Sequence, residues 1–559
     1  MDPFSRWPNL AAMMLGLGEE RGQRPMHRFW RDGLWHSLSW GAFAAQTASL
    51  AQALRPYLGP GAPVLLVSDA SPEVPIANVA LQAIGAVPMP AYVTNQPADH
   101  AHLLRDSGAR VAIVATAALA DRVLAAAEQV NGLDLLICME QFQTAACRVL
   151  HWDDLITAAD ALAGVRRAAA AIGRDAIAVL MYTSGTGGAP KGVELPHRAI
   201  LSNCIGAAEV VEPLHLNDQT YLSILPLSHT YEYTVGQYFL SAIGCEVVFS
   251  RGVETLAGDM KTIRPHIMTV VPRVLEVIRG RVLAEVGRAA PWRRAVFERA
   301  LAGGLRRIDG TRSLADRVLE PVLDRLVGAK IRARFGGRLI ALVSGGARLD
   351  PDTGRFFSAM GVRVMQGYGQ TEAGPVISVN PPMAVRVDTV GPPLRGVELR
   401  IAADGEILVR GDLVMTGYLN RPEETAQAIT DGWLHTGDIG LLDRGYLKIT
   451  DRKKDIIVLS GGENVSPARI EGLLMNEPAI AQAVVMGDGQ AGLSALVVAA
   501  EAVAAGAVAD AVKRVNAGLT GAEKLRRHQV VAAFTLENGL LTPTQKIRRR
   551  LVIERHGKA

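Results

Sequence analysis

Met181–Val193 reads MYTSGTGGAPKGV, and Ala176–Met181 just ahead of it, AIAVLM, is a short apolar run of the kind that forms a buried strand. A strand therefore feeds a loop. That loop carries Thr183, Ser184 and Thr186 among Gly185, Gly187, Gly188 and Gly192, so bare backbone amides and small hydroxyls can wrap a polyphosphate without steric obstruction. Lys191 adds a point charge and Pro190 stiffens the exit. Gly192 stands where the P-loop pattern G-x-x-x-x-G-K-[ST] needs a hydroxyl, so this is a different phosphate loop. The alternative, a Gly/Ser-rich surface turn, does not explain hydroxyls, glycines and a lysine gathered directly after a buried strand.

At 559 residues the chain exceeds what one hydrophobic core organises, so more than one domain is expected. Its 59 basic and 55 acidic side chains are too balanced to argue for a nucleic-acid partner. Cys138, Cys147, Cys204 and Cys245 show no C-x-x-C spacing, which excludes a sequence-evident zinc site and fits a reducing cytosol. No apolar run reaches the ~18 residues of a membrane span, and no signal peptide is legible, so a cytoplasmic protein is expected. Leu10, Met13, Met14 and Leu17 fall at helical spacing and predict a short amphipathic helix packed on the body of the protein, with a membrane surface as the lesser alternative.

From Val64 to Ala115, short apolar strands (VLLVS, AVPMPA, VAIVA) alternate with helical segments, which predicts a parallel α/β sheet. Residues 116–175 are alanine-rich and give no clear pattern. After the phosphate loop, YLSILPLSHTYEYTVGQ reads as an apolar strand that delivers Ser228 and His229 at its end. Ser228 has no G-x-S-x-G elbow around it, so a hydrolase is set aside. Leu314, Val318, Val322 and Leu326 make one apolar helix face, with Arg317, Arg325, Lys330, Arg332 and Arg334 around it. Such charge is ordinarily a solvated face; attraction to anionic phospholipid or to CoA phosphates stays open.

TSGTGGAPKG resembles the signature loop of the adenylate-forming superfamily, which comprises acyl-CoA synthetases, firefly luciferase and peptide-synthetase adenylation domains. That family usually has Ser or Thr where this chain has Gly187. The resemblance extends in order through the segments IRPHIMTVVPRVLEVIRGRV and LADRVLEPVLDRLVGAKIRARFGGRLIALVSGGARLDP, VMQGYGQTEAGPV, HTGDIG, DRKKD and LTPTQKIRRR, and is most specific to the long-chain acyl-CoA synthetase branch. It implies an α/β protein with a large N-terminal domain of α/β sheets, residues 1–453, and a smaller mobile α+β domain, residues 454–559.

It also implies roles. Gly346 and Ala347 with Gln366, Gly367, Tyr368 and Gly369 would form the adenine pocket, Thr371 would approach the α-phosphate, and Glu372 would hold Mg²⁺. Asp438 would accept the ribose hydroxyls, backed by Arg452. His229 would line the acyl pocket and move between half-reactions. Lys454, with Asp455, is the hinge, after which GGENV would line a pantetheine tunnel, and Lys546, beyond a turn at Pro543 and Thr544, is the catalytic lysine. The implied activity is a long-chain fatty acid:CoA ligase, an acid-thiol ligase with fatty acid, ATP and CoA as substrates and Mg²⁺ as cofactor. An acyl-AMP ligase serving a carrier protein and a non-catalytic lipid- and nucleotide-binding protein are the rivals. Acyl length, homodimerisation and peripheral association with the inner membrane stay open.

Overall fold

The computed structural model describes residues 4–157, 161–183, 189–501, 503–504, 506–542 and 546–557. It is a mixed α/β protein in which a large N-terminal domain is followed by a smaller C-terminal one. The expected parallel sheet is present and larger than the sequence pattern implied. Pro63–Val67, Val87–Ala91 and Val111–Val114 are joined by Leu135–Cys138 and Arg148–His151, all parallel. The last two strands lie in the stretch whose alanine content hid them.

A second, eight-stranded sheet carries most of the chemistry. Across it run Val376–Val379, Val364–Gly369, Ala341–Ser344, Ile267–Val270, Thr220–Ser223, Glu246–Phe249, Pro25–Arg31 and Leu34–Ser39. The six inner strands are mutually parallel and the two edge strands antiparallel. Parallel strands buried on both faces read as continuous apolar runs, as IMTV at 267–270 and ALVS at 341–344 do. Their carboxyl ends open on one side, the place where ligands bind in open α/β sheets.

The strand Ile177–Thr183 leads into the phosphate loop and returns antiparallel as Lys191–Pro196. Ser184, Gly185, Thr186, Gly187 and Gly188 lie outside the described residues. A further antiparallel sheet pairs Trp433–Asp443 with Tyr446–Arg452. The C-terminal domain has its own apolar core around Ile470, Leu474, Val485, Val497 and Val512, on the sheet formed by Ile480–Met486, Leu493–Ala499 and Leu525–Val530.

The helix Leu10–Arg21 packs on the body, and more deeply than an amphipathic pattern implies. Leu10, Met13 and Met14 are all fully buried, as is the stretch through Gly18. This removes the membrane alternative for it. Among the described residues, no helix is long and apolar enough to cross a membrane.

Candidate active site

The carboxyl ends of the parallel strands supply the first group of side chains. Val364–Gly369 ends against Pro375, so close that a Cβ on Gly369 would lie 1.8 Å from the Pro375 carbonyl oxygen. Only glycine lets the chain turn there into the short helical turn Thr371–Ala373. Thr371 Oγ1 accepts a hydrogen bond from Thr230 Oγ1 at 3.1 Å. Next door, Gly346 and Ala347 follow the strand Ala341–Ser344 and are exposed at its carboxyl end. A Cβ on Gly345 would sit 3.1 Å from the Tyr231 ring. Gln366 is buried and donates to the Val387 carbonyl, while Gly367 lies against Ser378.

His229 is placed differently from the sequence expectation. The strand stops at Ser223, and His229 caps the turn Thr230–Glu232, its Nδ1 accepting from the Tyr231 N–H at 3.2 Å. The Pro226 and Ser228 segment between them forms a turn, because proline cannot continue a sheet ladder. Burial, followed by the nearby Lys546 charge, pulls the His229 pKa down to about 4, so the imidazole is neutral at pH 7.

The second group comes from strand register. Asp438 and Arg452 are direct partners across the antiparallel pair, so their side chains leave the same face of the sheet. Asp438 Oδ1 accepts from Arg452 Nε at 3.0 Å and Oδ2 from the Tyr368 hydroxyl at 2.6 Å. Burial, then the Asp438 charge, pushes the Tyr368 hydroxyl well above its ordinary pKa, so it is a permanent donor. For Arg452, burial pulls the pKa down, and the charge and hydrogen bond of Asp438 more than reverse that. Each carboxylate oxygen keeps a second acceptor position.

Lys546 enters from the C-terminal domain. Its turn is closed by Thr542 N–H donating to the Lys546 carbonyl at 2.8 Å and Lys546 N–H donating to Thr542 Oγ1 at 3.0 Å. Pro543 and Thr544 lie outside the described residues. Lys546 is exposed as a residue, yet protein crowds its ammonium. Desolvation and then Arg452 lower its pKa, while Asp438 and Glu372 raise it. One charge thus feels the ribose-type pair, the candidate metal carboxylate and, through its effect on His229, the candidate acyl pocket. The Arg548–Arg550 run beside it is not a loose tail: Arg549 forks onto the half-buried Glu471 at 2.6 Å.

Sequence reasoning missed Tyr418 and Glu424. The Tyr418 hydroxyl donates to Glu372 Oε1 at 2.9 Å, and Lys191 Nζ lies 4.8 Å from the centre of the Tyr418 ring while pairing with Glu424. The antiparallel pairing of Gly417–Tyr418 with Val193 and Glu194 brings them together, a contact between residues more than two hundred apart with no local signal. Glu372 is half-buried, and among the described residues no group of three or more His, Cys, Asp or Glu could hold a metal. That donor set fits Mg²⁺, which is typically held by one or two carboxylates with water and substrate phosphates.

A sheet-edge cleft with a carboxylate and arginine on one wall, a lone metal-type carboxylate on another and a lysine entering from a second domain defines an AMP-binding enzyme. The AMP-binding enzyme family matches residues 18–419 and the AMP-binding enzyme C-terminal domain family residues 454–558, and the chain belongs to this family of ATP-dependent, adenylate-forming enzymes. It is 32% identical to the long-chain-fatty-acid–CoA ligase FadD15 of Mycobacterium bovis, over 98% of this chain and 95% of that protein. The Mycobacterium tuberculosis protein of the same name matches at the same identity and coverage. Among solved structures, ATP-bound MatB from Rhodopseudomonas palustris superimposes with a TM-score of 0.73 at 23% identity, covering 98% of this chain and 99% of that one. The anthranilate CoA ligase AuaEII with anthranoyl-AMP gives 0.74 at 19% identity, covering 98% and 97%. These two show the shared fold.

Proposed function

We propose that the protein is an ATP-dependent long-chain fatty acid:CoA ligase. The observation that carries the reading is the meeting of Lys546 with Asp438, Arg452 and Glu372 in one cleft, in a chain that matches long-chain-fatty-acid–CoA ligases along nearly its whole length. In the first step a fatty-acid carboxylate oxygen attacks the α-phosphorus of ATP, the α–β phosphoanhydride bond breaks, and pyrophosphate leaves. In the second, CoA sulfur, having lost its proton, attacks the acyl carbon and AMP leaves.

Each residue has a part in this. Asp438, held by Tyr368 and Arg452, accepts from the ribose hydroxyls. The edge formed by Gly346, Ala347, Gln366, Gly367, Tyr368 and Gly369 receives the flat adenine. Thr371 and Lys546 meet the negative charge that builds at the α-phosphate. Thr183, Lys191 and the glycine-rich loop between them cradle the β- and γ-phosphates, Lys191 exchanging Glu424 for phosphate. Glu372 would hold Mg²⁺, which would offset phosphate charge when bound. Neutral His229 adds no charge to a pocket that must accept an apolar chain.

We place the boundary between domains 1–453 and 454–559, with the hinge at Lys454. Lys453 is fixed to the large domain through Asp404 at 2.6 Å and Glu406 at 2.9 Å, whereas Lys454 is exposed. Rotation there would withdraw Lys546 and present the Gly461–Val465 face, beside which a cleft of about 260 Å³ is bordered by Lys524 and Arg526, cations suited to CoA phosphates. The test is a purified-protein assay with oleate, ATP and Mg²⁺, with and without CoA. Pyrophosphate release and oleoyl-CoA formation are expected. Release of pyrophosphate with no thioester on CoA would point to a carrier-protein acceptor, and no release would remove the enzyme reading.

A further inference from the structure

The helix Leu314–Leu323 is built inside out. A capping box of Ser313 and Asp316 starts it, and the side it turns to the protein is acidic. Asp316, 4% exposed, takes Arg306 at 2.6 Å and Arg299 at 3.0 Å. Glu320 takes Arg307 at 2.5 Å and also Arg312, and in the following turn Asp324 takes both guanidinium Nη atoms of Arg332 at 2.7 Å. The apolar side faces water: Leu314 is 79% exposed, Val318 75%, Val322 58% and Leu326 47%. Spaced by four, these residues form one stripe on the helix surface. A surface helix of a globular protein ordinarily turns such a stripe to the core and leaves its ionic residues outside. Here the inward contact is ionic, so the core does not account for the stripe.

Charge identifies what covers it. Residues 272–334 hold fifteen Lys and Arg against seven Asp and Glu, whereas the whole chain carries a net charge of only +4. The helix acids are taken up inward, so the outer face offers Arg317, Arg325 and Lys330, exposed and without an ion pair among the described residues. Trp292, 63% exposed at the start of the preceding helix, carries Arg293 5.1 Å from the centre of its ring. An apolar stripe flanked by cations matches the two layers of an anionic bilayer surface: acyl boundary for the stripe, phosphates for the cations. A peptide or a second copy would have to supply both an apolar groove and three anionic groups.

We propose that this helix lies in the plane of an anionic membrane and docks the protein there. The inference is independent of the reaction, and if the substrate is a long-chain acid, it places the enzyme where that acid partitions. The experiment is co-sedimentation of the full chain with phosphatidylcholine vesicles, with and without phosphatidylglycerol, at low and high salt. Binding to the anionic vesicles that weakens with salt is expected. Val318→Glu with Val322→Glu should lower the partition coefficient about tenfold or more, since both apolar contacts and charge sign are lost. Arg317→Gln with Arg325→Gln should weaken binding to anionic vesicles while leaving the phosphatidylcholine background unchanged, and these exposed changes keep the test valid if the glutamate pair melts early. Equal binding by wild type and both variants would overturn the proposal, as would no binding by wild type. So would sedimentation velocity showing a wild-type dimer that the glutamate pair dissociates, because the stripe would then be covered by a second copy.

Discussion

Lys546 is held by its turn at Thr542, with no side-chain ion pair among the described residues, and its lowered pKa records a charge crowded by protein and by Arg452. On the proposed reading, an ammonium so placed would be available when charge builds on the α-phosphate. Removing one such preorganised donor typically costs ~10² to 10³ in rate. Lys546→Ala is therefore expected to lose pyrophosphate release by that factor while still converting synthetic oleoyl-adenylate and CoA to oleoyl-CoA. The pH dependence follows from the same shift. The lysine loses its proton at lower pH than a free one, so adenylation should decline earlier on the alkaline side, and Lys546→Arg, always protonated, should not show that decline. Normal pyrophosphate release by Lys546→Ala would reduce Lys546 to part of a basic segment. The residues of this site were legible where a carboxylate or lysine sits in an unbroken motif, as at Asp438, Glu372 and Lys546. Tyr418 and Glu424 were not, because their positions come from strand pairing with the distant segment after the phosphate loop.

The turn Thr230–Glu232 shows how an element is fixed from beneath. Glu232 is fully buried, and its Oε1 accepts from Tyr221 at 2.5 Å and Ser223 at 2.6 Å, its Oε2 from Thr269 at 2.8 Å. The donors sit on two neighbouring parallel strands, so one carboxyl pins the turn that carries His229 and Thr230 to the sheet. Burial raises its pKa, and the three hydroxyls oppose that shift. Glu232→Gln replaces one acceptor oxygen with a donor facing hydroxyls, and leaving a buried group unpaired costs about 1 to 3 kcal/mol. A lower urea midpoint is expected, together with slower adenylation at temperatures where the variant is fully folded. An unchanged midpoint would show that the hydroxyls reorient without loss. The sequence did not reveal this anchor, since a glutamate in an apolar run carries no sign of the strands that will satisfy it. It did reveal the first three parallel strands, where β-branched runs alternate with helices. It failed at Leu135–Cys138 and Arg148–His151, where four-residue strands lie among alanines that give no contrast between faces.

At the scale of the whole molecule, buried neutral histidines set the response to acid. Burial holds His27 and His197 at about 3 and His100 at about 4. His27 Nδ1 and both His100 ring nitrogens have no hydrogen-bond partner among the described residues, and His197 Nδ1 accepts from the Leu10 N–H at 3.3 Å. None has a place for a second proton. In the unfolded chain they titrate near ~6.5, so below that pH the unfolded state binds more protons, and stability falls as pH drops toward the folded values, by at most about 1.4 kcal/mol per pH unit for each histidine. Urea midpoints should decline from pH 6.5 downward, and His100→Gln should flatten the decline; a midpoint independent of pH between 7 and 5 would contradict it. The rotation proposed above would pivot at Lys454. Lys453 on its amino side is tied to Asp404 and Glu406, and its N–H donates to the Gly437 carbonyl at 2.8 Å, while Asp455 N–H closes onto the Arg452 carbonyl at 2.9 Å. Lys454 itself is exposed, and its N–H has no partner among the described residues, so proline there removes no hydrogen bond and acts only by fixing φ near about −65°. On the proposed reading, the arrangement in which Lys546 senses Asp438 and Glu372 is the adenylating one, and a locked hinge would hold the molecule near it. In Lys454→Pro, pyrophosphate release on a single turnover should persist, whereas conversion of supplied oleoyl-adenylate with CoA should fall on the order of 10²-fold, the cost of reacting groups that cannot align. Equal loss of both steps in a variant that melts like wild type would place the rotation at another residue.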